Sequence, residues 1–345
     1  MERPFWLFSA GEDSGDILGE SVVREFLDKN FDAVGVGGVR MQKAGLKVAF
    51  PFDDLPVNGF CDIFCHAKKL KRDFSVLKKL LENENCRGLV AIDYPGFNLK
   101  LMKKALALGK RVVYVEPPQI WAWKPGRIQN FLSETARANV EIRALFDVEC
   151  KAYRKFGLQV LQIPHPFDRF ENSEEVPREK LALLFPGSRK AQIRRNLKLY
   201  TEIAHKLNSR GLQTQFVASR AETFKTLSLL QQGSFKKIPV VLSPEIALER
   251  FRLLKRASLV IAGPGSAVVE AFKARTPCVA VSRIDILTYA LGKRFLKTRF
   301  LTIPNIERDA CGKPPVIPEI VKSSLFCVRK QAQSVLAAAE TLRIF

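Results

Sequence analysis

Short runs of β-branched and aromatic residues alternate along the chain with longer stretches in which apolar positions recur every three or four residues. The short runs fall at residues 5–8, 33–35, 88–92, 112–115, 140–142 and 158–163. A second series follows a polar, proline-containing stretch at 171–177, and occupies 181–185, 215–218, 240–242, 259–262 and 278–282. Such runs suit strands covered on both faces, and the periodicity between them suits helices. Their alternation predicts an α/β fold of two Rossmann-like, doubly wound parallel-sheet domains that face a cleft. The expected domains are 1–167 and 168–318, with 319–345 a helical segment crossing back to the first.

Ligands of open parallel sheets bind beyond the carboxyl ends of strands, which directs attention to five turns. Ser9-Ala10-Gly11-Glu12-Asp13-Ser14-Gly15-Asp16 follows the first run and opens a helical pattern. Its glycines allow close backbone approach, while Glu12 and Asp13 make it a poor cradle for phosphate alone and a better one for a polyhydroxyl ligand. Asp93-Tyr94-Pro95-Gly96-Phe97-Asn98 leaves the run at 88–92, where Asp93 is either a general base toward a sugar hydroxyl or an Asx-turn residue. Glu116 to Trp123 leaves the run at 112–115 and ends in Trp121-Ala122-Trp123, which suits a sugar face, lipid chains or packing between domains. Pro186-Gly187-Ser188-Arg189 offers amides, a hydroxyl and a guanidinium to a diphosphate. Gly263-Pro264-Gly265-Ser266 repeats that theme, and Glu270 stands one turn later where a carboxylate can accept ribose hydroxyls. His165, between Pro164 and Pro166, is rigidly aimed. No G-x-S-x-G nucleophile elbow occurs.

Composition narrows the class. The chain has 345 residues, 47% of them apolar, without an apolar run long enough to span a bilayer and without a secretory leader, so a cytoplasmic protein is expected. Its seven cysteines are scattered, with no C-x-x-C pair, which points to free thiols and no structural metal site. The excess of 56 Lys+Arg over 35 Asp+Glu, a net +21, calls for a polyanionic partner, either nucleic acid or an anionic membrane surface. Residues 60–81 combine Lys68, Lys69, Lys71 and Arg72 with Phe60, Phe64 and further large apolar residues. That composition suits a helix at a lipid interface, and equally a solvated cationic face over a core-facing stripe. No recognisable nucleic-acid-binding module accompanies the charge.

These segments, in order, resemble those of the lipid-A-disaccharide synthase family, glycosyltransferases of the two-Rossmann-domain GT-B type. The resemblance is carried by the opening Ala10-Gly11-Glu12 turn, Gly35-Val36-Gly37-Gly38, Ile92-Asp93-Tyr94-Pro95-Gly96-Phe97-Asn98, Trp121-Ala122-Trp123, Pro186-Gly187-Ser188-Arg189, Gly265-Ser266-Ala267 and Ile303-Pro304-Asn305. It implies inverting, metal- and cofactor-independent transfer of 2,3-diacylglucosamine from its UDP derivative to the 6-hydroxyl of 2,3-diacylglucosamine 1-phosphate, lipid X. Asp93 takes the family's base position, and Arg189, Glu270 and Asn305 its UDP-contacting positions. Ser188 and Gly265 shape the diphosphate turn, and Ser266 beside them is an expected substrate contact. Gly11, Glu12, Ser14, Asp16, Asn98, Trp123 and His165 complete the expected substrate contacts. Phe60, Phe64, Lys68, Lys69, Lys71 and Arg72 become acyl and membrane contacts at the anionic inner-membrane surface, and a homo-oligomer is left open. The chain departs from the family pattern at Glu116, Pro164, Pro264 and Lys322. The competing functions are another UDP-sugar GT-B enzyme, such as a soluble transferase or a 2-epimerase, and a basic nucleic-acid-binding protein.

Overall fold

The computed structural model describes residues 3–11, 13–51, 60–122, 125–171, 175–232, 237–286, 288–290 and 296–344. Two compact units, Met1–Pro166 and Phe167–Phe345, divide the chain. The first contains β1 (Phe5–Ala10), β2 (Asp32–Val36), β3 (Lys47–Val48), β4 (Cys86–Ile92), β5 (Arg111–Val115), β6 (Val140–Ala144) and β7 (Val160–Gln162). The second contains β8 (Glu179–Phe185), β9 (Gln213–Ala218), β10 (Val240–Leu242), β11 (Ala257–Ala262), β12 (Cys278–Ile284) and β13 (Glu319–Ser323).

Every strand pairing in both sheets is parallel. The strand orders are β3-β2-β1-β4-β5-β6-β7 and β10-β9-β8-β11-β12-β13. Each sheet therefore reverses direction once, between β1 and β4 in the first and between β8 and β11 in the second. At those reversals the paired strand ends are Ala10 with Ile92 and Phe185 with Ala262. The crossovers diverge there and leave a crevice at the carboxyl edge, the position where doubly wound sheets bind ligands.

The apolar runs are continuous because helices cover both faces. All six residues of β1 are buried, and the second sheet has a separate apolar cluster on each side, one containing Leu184, Ile261 and Val281, the other Leu183, Val260 and Ala280. The alternation along those strands sends successive side chains into opposite clusters.

All eleven runs read from the pattern are strands. Two further strands carry weaker signals. Both residues of β3, Lys47 and Val48, are exposed, so no apolar run marks it. The expected helical crossing at 319–345 is corrected. Glu319–Ser323 is the edge strand β13, paired with β12. The last helix, Val328–Thr341, packs on the helix Lys190–Asn208 within the second unit. It buries Ala332, Val335, Leu336 and Ala339 in the same cluster as Ile203 and Leu207. Pro318 explains the misread start: it disfavours helix for the residue before it and lacks an N–H, while its carbonyl accepts from the Ala280 N–H at 2.8 Å to start the ladder.

Candidate functional site

At the first reversal, β4 ends in two consecutive residues of left-handed backbone, Asp93 and Tyr94, both with φ +47°. Neither is glycine, so each conformation is sustained by its surroundings. The Asp93 N–H donates to the Val115 carbonyl at 2.9 Å, extending the β4–β5 ladder by one residue. Its carbonyl accepts from Asn98 Nδ2 at 2.9 Å and from the Tyr114 hydroxyl at 3.1 Å. Tyr114 is wholly buried, and burial first, then the nearby Asp93 charge, holds its pKa well above the usual phenol value. It therefore stays a neutral O–H donor at that carbonyl.

Asn98 works as a clamp. Its side chain is fully buried; Nδ2 also donates to the carbonyls of Ser9 and Ile92 at 3.0 and 3.1 Å, and Oδ1 accepts from the Ser9 hydroxyl at 2.6 Å. The ends of β1 and β4 are thereby tied together behind Asp93. Both ends of the Asn98 amide, where a substrate contact is expected, are engaged inside the protein.

Tyr94 closes the aromatic series Tyr94–Phe97–Phe74, with ring centroids 5.9 and 5.6 Å apart, over the opening turn. Gly11 passes so close beneath that a Cβ would lie 2.5 Å from the Tyr94 ring. Ser14 and Asp16 follow on the helix Asp13–Asp28. Asp16 is only 6% exposed, and its carboxylate accepts the N–H groups of Arg40 and Met41 at 3.1 Å each. It caps the helix Val39–Lys43, and Gly38 makes room for it: a Cβ there would stand 2.5 Å from the carboxylate. Asp16, expected as a substrate contact, thus caps that helix.

Glu12 and Trp123 lie outside the described residues. Glu116, with φ +53°, is the residue beside Asp93 at the end of β5. His165 follows β7, three strands away from β4 and so roughly 14 Å along the edge at ordinary strand spacing. The fold does not bring it to Asp93.

At the second reversal, β8 ends in Pro186 and left-handed Gly187, φ +141°, before Ser188 and Arg189, and Arg189 is the N-cap residue of the helix Lys190–Asn208. The neighbouring β11 ends in Gly263, Pro264 and Gly265, with Ser266 opening the helix Ser266–Lys273. Gly265 and Ser266 are exposed and Ser188 and Arg189 half-buried, so both turns reach the surface with helix amides behind them. Gln192 lies between them. A Cβ on Gly187 would stand 2.6 Å from its side chain, and one on Gly263 3.5 Å from its Nε2. Asn196 fixes the base of the β8 turn by donating to the Pro186 carbonyl at 2.7 Å and accepting from the Arg283 N–H at 2.9 Å.

Glu270 is 3% exposed and oriented by Arg250, whose Nη2 and Nε stand 2.6 and 2.8 Å from Oε2. Arg250 in turn donates to the Ser243 hydroxyl at 2.7 Å. The sequence offered one signal for Arg250, a basic residue on the otherwise apolar side of its helix beside Phe251 and Leu254. Asn305 lies in the element just before β13. It is fully buried, donates to the Ile317 carbonyl and Glu319, and accepts from the N–H groups of Val316 and Ile317, all between 2.7 and 3.0 Å. These bonds shape the entry to β13.

On the helix Phe60–Glu82, Lys68, Lys71 and Arg72 are exposed and Lys69 is half-buried, while the side chains of Phe60 and Phe64 lie outside the described residues. Leu77 and Leu81 are fully buried, and Leu70, Phe74 and Leu80 pack on the same core. Those apolar positions are the core-facing stripe. No helix among the described residues is long and apolar enough to cross a membrane.

The family model for lipid-A-disaccharide synthetase matches residues 6–342, almost the whole span in which these turns lie. The chain belongs to that family. It is 32% identical over 313 residues to the lipid-A-disaccharide synthase of Trichlorobacter lovleyi, covering 86% of this chain and 79% of the relative. To that of Coxiella burnetii it is 30% identical over 322 residues, covering 89% and 82%. In structure it is similar to the UDP-GlcNAc 2-epimerase of Methanocaldococcus jannaschii, solved with UDP-GlcNAc and UDP, at a TM-score of 0.59, 15% identity and coverage of 97% and 92%. It is also similar to the glycotransferase of kitacinnamycin, at a TM-score of 0.57, 11% identity and coverage of 98% and 93%. The fold is the GT-B type, and the chain is a glycosyltransferase of lipid A synthesis acting on lipid-sugar substrates.

Proposed function

We propose that the chain joins UDP-2,3-diacylglucosamine to lipid X, forming a β(1→6) disaccharide 1-phosphate and UDP. The observation that carries this is the pairing of roles at the two reversals. The first holds a carboxylate, Asp93, in enforced left-handed backbone, and the second holds two glycine turns with helix amides and Arg189.

In this account Asp93 takes the proton of the lipid X 6-hydroxyl as that oxygen attacks C1 of the donor sugar. The C1–oxygen bond to the diphosphate breaks on the opposite face, so the configuration inverts. The departing UDP keeps the electron pair, and its charge is received by the turns at Gly187 to Arg189 and Gly265 to Ser266. Glu270, oriented by Arg250, takes the ribose hydroxyls. Gly11 and Ser14 line the acceptor side. Lys68, Lys69, Lys71 and Arg72 place the first unit against the anionic cytoplasmic face of the inner membrane, so the enzyme is peripheral and draws both lipids from that surface.

Purified protein supplied with UDP-2,3-diacylglucosamine and lipid X, with and without chelator, tests the reading. Equal disaccharide formation in both, and no turnover of non-acylated UDP-N-acetylglucosamine, is expected. Epimerisation of the non-acylated sugar nucleotide without disaccharide from the acylated pair would overturn it.

A further inference from the structure

We infer that buried Asp73 is a positioning residue that holds the Arg72 guanidinium ready for a lipid-borne phosphate on the helix Phe60–Glu82. The inference rests on the lipid-side assignment of that helix.

Asp73 is 1% exposed, whereas 63% of the Arg72 side chain is open to solvent. Sequence neighbours on a helix point about 100° apart, so a bond between them requires the longer side chain to fold back. Arg72 does so: Nε and Nη2 both reach Asp73 Oδ1, at 3.1 and 3.0 Å. The other carboxylate oxygen, Oδ2, is buried with no hydrogen-bond partner. Asp73 lies on the stripe of Leu70 and Leu77, three residues before and four after it, where the core takes apolar side chains.

A half-satisfied carboxylate in such a stripe destabilises the fold relative to an apolar residue. Packing gives no reason for it. What it does provide is a guanidinium fixed in one orientation at the surface. Arg72 is the centre of an exposed row spaced by helical turns, Lys68, Arg72, Ser75 and Lys79. The flanking lysines supply attraction as point charges, and a planar guanidinium held by Asp73 through Nε and Nη2 keeps an orientation toward a phosphate monoester or diester that a freely rotating ammonium does not. The two sources of such a phosphate are the bilayer headgroups and the 1-phosphate of the acceptor.

The test uses Asp73→Leu, Asp73→Asn and Arg72→Lys in the full chain, read by melting temperature, by flotation with phosphatidylglycerol-containing against phosphatidylcholine vesicles, and by the KM for lipid X in detergent micelles. Asp73→Leu adds one net positive charge, so charge alone predicts tighter binding to anionic vesicles. The inference predicts the opposite: weaker flotation or a KM raised about tenfold, the loss of one charge-assisted contact, with the melting temperature unchanged or higher. Arg72→Lys keeps the charge and shows the same loss, and Asp73→Asn, which keeps a neutral acceptor for Arg72, shows a smaller loss of the same sign and reports it if the leucine variant folds poorly. Loss confined to flotation assigns the headgroup, and loss confined to the KM assigns the acceptor phosphate. Wild-type binding by Arg72→Lys in both arms, or tighter flotation by Asp73→Leu with no rise in KM, would overturn the inference. Flotation needs no turnover, so it remains readable even if the disaccharide reaction itself is not observed.

Discussion

Asn98 Nδ2 donates to the main-chain carbonyl of Asp93 at 2.9 Å, and Asn98 Oδ1 accepts from a serine 89 residues earlier in the chain. One buried amide therefore joins the first strand to the fourth and sets the backbone on which the candidate base is carried. Replacing Asn98 with Ala leaves several buried carbonyls and a hydroxyl unpaired. A stability loss of about 2–3 kcal/mol in urea unfolding is expected. Because Asn98 lies behind the site, kcat falls while the KM values for both substrates stay near wild type. A raised acceptor KM with unchanged kcat would instead mark direct contact.

Gly11→Ala places a methyl group into the Tyr94 ring, 2.5 Å from its nearest atom. Either the ring or the opening turn must move, and disaccharide formation falls by about tenfold or more. The second change Tyr94→Ala clears the space. A double variant more active than Gly11→Ala alone, measured in the same assay, confirms that the clash is the cause.

Arg250 and Glu270 form a buried pair whose loss is asymmetric. Arg250→Met strands an unpaired carboxylate and costs about 3–5 kcal/mol, whereas Glu270→Gln retains a hydrogen-bond acceptor for Arg250 and costs less. UDP binding by calorimetry weakens in both, because the orientation of residue 270 changes in each. Equal stability of the two variants would contradict the pairing.

Glu25 bonds Arg143 through both oxygens, at 2.6 and 3.0 Å, and so ties the helix of the opening turn to β6. Burial alone would raise the Glu25 pKa, but the bonds from Arg143 and Lys29 outweigh it and leave the value below its ordinary 4.5. A carboxylate with a depressed folded-state pKa contributes stability above its unfolded value and loses it as pH falls through the folded value. Wild-type stability therefore declines more steeply below about pH 4.5 than that of Glu25→Gln. Parallel acid limbs in chemical denaturation would refute the contribution.

The two sheets and the turns that bear the site were legible because buried parallel strands are written as uninterrupted apolar runs, and the residues after each run are local to it. The polar members of the same motifs were not. Asp16 and Asn98 stand near glycines and Asn305 follows a proline, and the partners they hold in the fold, Arg40 and Met41, Ser9, and Val316 to Glu319, are set by tertiary packing that no local pattern encodes. Gln192 and Arg250 were missed for the converse reason. Each sits inside an ordinary helical pattern, and only strand order places it beside a turn. The strand β13 was hidden by the helical periodicity of 328–341 that follows it.

The central claim is that the carboxylate at the end of β4 removes the proton from the acceptor hydroxyl. Asp93→Asn preserves the shape of that side chain and removes its basicity, and the decisive measurement is kcat for disaccharide formation from UDP-2,3-diacylglucosamine and lipid X, with UDP affinity as control. The account predicts a fall of about 10²–10⁴-fold in kcat with UDP binding intact. Wild-type kcat in Asp93→Asn would contradict it.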